Sequence, residues 1–129
     1  MKRFALALAL AALSGHSAAE WVMVYDNDKY ISYADPATVS SKGDLVRMRD
    51  LIDFKSPQSS PYGKPHASST AQSEFDCQNS RIRTIAFSLH SGQMGDGDLV
   101  ETVAESNRWL PVAPGTLLNV LWLLACSQT

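Results

Sequence analysis

The sequence predicts an α+β domain: a single antiparallel β-sheet, followed by one C-terminal α-helix tied to it by a disulfide. Three observations carry this expectation. Runs of period-two apolar alternation are separated by short turn-forming segments rich in Gly, Asn and Asp. The stretch Leu117 to Cys126 contains a single polar residue, Asn119, after the helix-start signal Pro114-Gly115-Thr116. The two cysteines fall one in a strand, Cys77, and one in that helix, Cys126. With 129 residues, 45% hydrophobic and 19% charged, the chain supplies one small core, which excludes a multidomain enzyme.

Taken in order, Trp21 to Tyr25 alternates large apolar residues, Asp26-Asn27-Asp28 supplies a turn, and Tyr30 to Tyr33 returns as the second arm of a hairpin. Asp35-Pro36 suggests a capped short helical turn, and Lys42-Gly43-Asp44 turns the chain again. Leu45 to Phe54 reads as the longest strand, with Val46, Met48, Ile52 and Phe54 on one face and Arg47, Arg49 and Asp53 on the other. Asp50 interrupts the apolar side, as a strand edge, a bulge or a contact to a neighbour's arginines. Residues 55–66, with three prolines, one glycine and three serines, read as a mobile surface loop.

Ser68 to Cys77 resumes as a strand that places Cys77 on the buried face and Glu74 and Asp76 on a solvated one. The short link Gln78-Asn79-Ser80 predicts an antiparallel hairpin into Arg81 to His90, with Arg81, Arg83, Ile85, Phe87 and Leu89 on one side. Ser91 to Asp98 then turns the chain into Leu99 to Ala104. On the helix, pairing of Cys126 turns Leu118, Trp122 and Leu123 towards the sheet. Leu117, Leu121 and Leu124 are left facing elsewhere, as a candidate interface for a second subunit or an apolar ligand, unless the long loop or the opening strand folds over them.

The N-terminus carries the marks of export. Lys2 and Arg3 precede an apolar run from Phe4 to Leu13, and Ser17-Ala18-Ala19 offers small residues for cleavage after Ala19, so residues 1–19 read as a signal peptide and 20–129 as the mature domain. The run covers about half of the roughly 20 residues a spanning helix needs. No cysteine follows it, so a lipid anchor is not expected, and the product is expected in the periplasm or secreted. An oxidising compartment favours an intramolecular disulfide, with a reactive thiol pair or half of a metal site as the competing readings. Loss of Lys2 and Arg3 leaves nine basic against thirteen acidic side chains, a formal charge of -4, and no cluster of cations for nucleic acid or anionic lipid.

No catalytic constellation is visible. His66 and His90 are the only histidines of the mature part, no His-x-x-x-His or Cys-x-x-Cys occurs, and no serine stands in Gly-x-Ser-x-Gly. Met94-Gly95-Asp96-Gly97-Asp98 lacks the Lys-Ser/Thr of a P-loop and the twelve-residue ligand spacing of an EF-hand and reads as a hairpin turn. Glu74 and Asp76 on one strand face evoke a carboxylate pair, for which solvation is the simpler account. No metal, catalytic residue or resident cofactor is therefore expected.

The ordered features resemble a known family. Glu20-Trp21-Val22, Tyr33-Ala34-Asp35-Pro36, Arg47-Met48-Arg49-Asp50-Leu51, Glu74-Phe75-Asp76-Cys77, Arg81-Ile82-Arg83, Met94-Gly95-Asp96-Gly97, Trp109-Leu110-Pro111-Val112, Pro114-Gly115-Thr116 and Cys126 together are similar to the surface-adhesin protein E family of Gram-negative bacteria. The resemblance spans nearly the whole mature chain. It implies a six-stranded antiparallel sheet whose concave face holds a C-terminal helix through the Cys77–Cys126 disulfide. It also implies a non-enzymatic surface adhesin that binds host matrix and serum proteins such as vitronectin, laminin and plasminogen, binds haem, and dimerises. The cations nearest to a family-type binding segment are Arg81, Arg83 and Lys64. The other readings are a periplasmic carrier of haem or a small apolar ligand, and a structural dimer of the envelope.

Overall fold

Among the residues described by the computed structural model, 20–61, 63–104 and 108–128, seven strands share one antiparallel sheet. The expected signal peptide, residues 1–19, lies outside them. In chain order the strands are β1 (Val22–Asp26), β2 (Tyr30–Lys42), β3 (Leu45–Ser59), β4 (Pro65–Asp76), β5 (Arg81–His90), β6 (Leu99–Ala104) and β7 (Leu110–Pro111). The first six follow one another across the sheet, as short turns between successive strands require. β6 and β7 both pair with β5, β6 at Ala86–His90 and β7 at Arg81–Ile82, so they share one edge.

Two segments differ from the sequence expectation. Asp35-Pro36 forms no helical turn but an irregularity inside β2, where the register with β3 jumps between Asp35 and Ser40. There the Asp35 carboxylate accepts from Ala37 N–H, and Thr38 Oγ1 donates to Asp35 O. The Pro- and Ser-rich stretch is largely not a loop: β3 runs to Ser59 and β4 starts at Pro65, leaving only a short tip in which Ser60 N–H donates to Lys64 O and Lys64 N–H donates to Ser60 Oγ. Prolines are compatible with extended backbone where a ladder bond is not demanded of them, and the register is interrupted here between Asp53 and Gln58.

β5 carries a further irregularity that pattern alone does not reveal. Ser73 pairs with Thr84 and Gln72 with Ala86, so Ile85 is an extra residue and the face presented by β5 switches at it. Ile82 and Thr84 therefore share a face with Phe87 and Leu89, and Arg81 and Arg83 share theirs with Ala86, Ser88 and His90.

Helix α1 (Leu117–Ser127) lies across one face of the sheet, against a core of Ala34, Val46, Met48, Phe75 and Ile82. Thr116 caps it as expected: its Oγ1 accepts from Asn119 N–H at 3.2 Å. Cys126 bonds Cys77 with a Cα–Cα distance of 5.8 Å, and Trp122 Nε1 donates to Asp76 O at 3.0 Å beside that bridge.

The rotation of the helix corrects the sequence expectation. Leu121 is 3% exposed and Ala125 fully buried, with Leu117 and Leu124 packed partly buried against the core, whereas Leu123 is 54% exposed. Leu118 and Trp122 pack against the core as expected, but Leu117, Leu121 and Leu124, expected to face away, are turned to the sheet side with them, and Leu123, expected to face the sheet, is presented outward. A helix apolar on every side carries no amphipathic signal to fix its phase. Leu121→Ala is expected to cost about 3 kcal/mol and Leu123→Ala less than about 1 kcal/mol in urea unfolding; equal costs would contradict this rotation. No helix among the described residues is long and apolar enough to cross a membrane.

Candidate functional site

The face away from α1 gathers the arginines. Strand alternation puts Arg47 and Arg49 of β3 opposite the core side, and register pairs Arg47 with Glu74, Glu74 with Arg83, and Asp76 with Arg81. Glu74, 1% exposed, accepts from Arg47 Nε at 2.8 Å and from Arg83 Nε at 2.9 Å. Burial alone would raise its pKa, but the two guanidiniums outweigh that and hold it below the ordinary glutamate value. Asp76 accepts from the Asn79 amide at 3.0 Å and from Arg81 Nε at 2.9 Å, and with two backbone N–H groups these bring its pKa down to about 2.

Glu74 and Asp76 are therefore not a solvated pair, contrary to the sequence reading. Each is buried under cations supplied by neighbouring positions in the ladder, and neither resembles an acid/base catalyst, since both are held ionised by hydrogen bonds.

Trp109, just before β7, lays its ring over this network, 4.5 Å from the Arg81 guanidinium and 4.4 Å from that of Arg83. β7 makes this possible by docking Leu110 beside Ile82 and Pro111 beside Arg81. The result is an aromatic and guanidinium surface, with one buried carboxylate between two of its cations. Lys64, the third cation singled out from the sequence, is not part of it; it sits before β4, at the end opposite Asp76.

Further along the same face Trp21 stands over Arg49 at 5.4 Å. The segment Ser91–Asp98 folds back over the sheet rather than only turning: Met94 N–H donates to Asp53 Oδ1 at 2.9 Å, Gly95 N–H to Ser68 Oγ at 2.9 Å, and Ser68 Oγ to Gly92 O at 2.6 Å. Gly97 has φ +80, and a Cβ there would collide with Ser91 Oγ and Gly92 N, so only glycine closes this turn. A cavity of about 350 Å³ lies between this segment and the strands, lined by Trp21, Arg49, Thr70, His90, Met94 and Asp96. Thr70 Oγ1 and His90 Nε2 are 2.9 Å apart, and burial foremost, then the Arg49 charge, lowers the His90 pKa.

Residues 21, 49, 70, 90 and 94–96 meet here although no local spacing links them. Of the three tryptophans, Trp122 packs against the core, whereas Trp21 and Trp109 stack on arginines of the opposite face. Among the described residues, no group of three or more His, Cys, Asp or Glu side chains is arranged to hold a metal.

A single antiparallel sheet, one face covered by a disulfide-tethered helix and the other presenting stacked tryptophans and arginines, defines an α+β module with one open aromatic and guanidinium face. The family model for surface-adhesin protein E matches residues 21–127, and the chain belongs to that family. It is similar in fold to the structure of Haemophilus influenzae protein E, with 15% identity, 87% of each chain covered and a TM-score of 0.63. A second crystal form of that protein gives 15% identity, 81% and 91% coverage and a TM-score of 0.59, and its selenomethionine form 14%, 85% and 95%, and 0.58. No curated protein sequence matches the chain significantly.

Proposed function

We propose that the protein is an exported, non-enzymatic adhesive module that engages a host matrix or serum protein through its helix-free face. One observation carries this reading: the Trp109 ring stacked on Arg81 and Arg83, with Glu74 fixing Arg83 and Arg47 from beneath. Tryptophan and arginine dominate the energetic centres of protein interfaces. Here their side chains are already ordered, so little rotamer entropy is lost on docking. On this reading α1 occupies the concave side of the sheet, residues 1–19 direct export to the periplasm or beyond, and the face with Trp109 is the one left for a partner.

Family membership supplies the partner class, as vitronectin, laminin and plasminogen are the proteins implied by it. The test is binding of each to the immobilised purified protein, with Trp109→Ala alongside. Saturable binding of one of them, weakened at least about tenfold by the substitution, is the expected result. Absence of binding to all three at micromolar concentration, or binding that Trp109→Ala leaves unchanged, overturns it.

A further inference from the structure

We infer that the cavity around Arg49 is a binding site for a carboxylate-bearing sugar, separate from the Trp109 surface. The first argument is charge. Of the arginines on this face, Arg47 and Arg83 share Glu74 and Arg81 is paired with Asp76, whereas no carboxylate among the described residues lies within 4.0 Å of Arg49. The acids closest to it in the ladder are occupied otherwise. Asp35, its register partner on β2, accepts from Ala37 N–H and Glu20 N–H, and Asp53 accepts from Met94 N–H. The Arg49 guanidinium is held against Trp21 with its donors uncommitted, and a guanidinium fork matches a carboxylate with two parallel hydrogen bonds.

The second argument is the composition of the wall. A cavity of about 350 Å³ sits at the lower end of the range for small-molecule sites, room for one sugar residue rather than an extended peptide. Trp21 and Met94 give it apolar surface for the C–H face of a ring. Thr70, His90 and Asp96 give it hydroxyl, imidazole and carboxylate groups for ring hydroxyls. Asp96 selects among anions: a doubly charged phosphate would meet it with repulsion, whereas a singly charged carboxylate on Arg49 leaves Asp96 to accept from hydroxyls. A depression of about 170 Å³ continues from Arg49 and Thr70 along Gln72, Ala86, Phe87 and Ser88, which places a second subsite of mixed polar and apolar lining beside the first, as an oligosaccharide requires.

The ligand class is thus an acidic glycan read through one uronate-type residue. The site shares no lining residue with the Trp109 surface, so it stands or falls independently of the protein partner.

The experiment is a titration of the purified protein, followed by Trp21 indole and His90 ring NMR signals, with glucuronate, glucose and inorganic phosphate. The two sugars differ only at C6, a carboxylate in one and a hydroxymethyl group in the other. Saturable shifts with glucuronate, at least about tenfold weaker response to glucose and to phosphate, and loss of the glucuronate response in Arg49→Gln are expected. Arg49 is exposed, so this variant is expected to keep the wild-type spectrum elsewhere; Asp96→Asn provides an independent reading, raising the response to phosphate relative to glucuronate. Equal responses to glucuronate and glucose, a glucuronate response that persists in Arg49→Gln, or no response to glucuronate at tens of millimolar overturns the inference.

Discussion

Cys126→Ser is expected to lower the unfolding free energy by about 4 kcal/mol, and reduction of the wild type to do the same. The bridge joins residues 49 apart in sequence, and for a loop of about fifty residues the chain-entropy relation gives that magnitude. For a domain of ordinary stability, 5 to 15 kcal/mol, it is a large fraction of the total. The effect arises mainly in the unfolded chain. Leu121 and Ala125 are buried against the sheet and Trp122 Nε1 donates to Asp76 O, contacts that need no covalent bridge, so the helix is expected to keep them in the folded molecule after reduction. A less constrained unfolded chain exposes more surface, so the denaturant slope should rise as the midpoint falls. Equal midpoints with and without reductant would exclude this account. A larger loss in the Cys77→Ser, Cys126→Ser double variant than in either single would also exclude it.

How much of this was legible in the sequence depends on where each signal resides. The strand order follows from local features: alternation in Leu45 to Phe54 and short turns such as Gln78-Asn79-Ser80 leave an antiparallel meander as the simplest path, and the structure has it. The core-facing side of Cys77 was readable for the same reason, although the residue lies just past the end of β4, and Thr116 was readable by its capping chemistry. The helix rotation was not, because Leu117, Leu118, Leu121, Leu123 and Leu124 are chemically alike and only the sheet chooses among them. The face switch at Ile85 was hidden because one extra residue leaves composition unchanged while reversing every later side chain. Glu74 looked solvated because its arginines stand 27 and 9 residues away, and the cavity at Arg49 draws on segments joined by the fold alone. The one irregularity visible at both levels is Asp50, a carboxylic acid on the apolar side of β3.

Asp50→Asn is expected to stabilise the protein by roughly 4 kcal/mol at pH 8.5 and by almost nothing at pH 4. Asp50 is 7% exposed, placed by register between Ala34 and Ala71 on the helix-covered face, and its one hydrogen bond is a long one from Ser73 Oγ at 3.3 Å. Buried Ser32 Oγ, on the same face of the next strand, has no hydrogen-bond partner among the described residues. Burial pushes the Asp50 pKa from 3.8 to about 7, against the smaller opposing pulls of Ser73 and Arg49. The folded protein therefore holds a proton that the unfolded chain releases from about pH 4 upwards. Stability is greatest below the unfolded value, declines as pH rises, and levels off above about 7; a rise of that size converts to roughly 4 kcal/mol. Asparagine keeps the shape and the acceptor and cannot ionise, so its gain should grow steadily from pH 4 to 7 and then stay constant. Urea midpoints of the two proteins across that range decide the matter, because every other titrating group is common to both. Stabilities that run parallel between pH 4 and 8.5 would mean that water or movement of the strand relieves the buried charge. A widening gap instead makes the acid on the apolar side of β3 a standing cost to the fold at neutral pH.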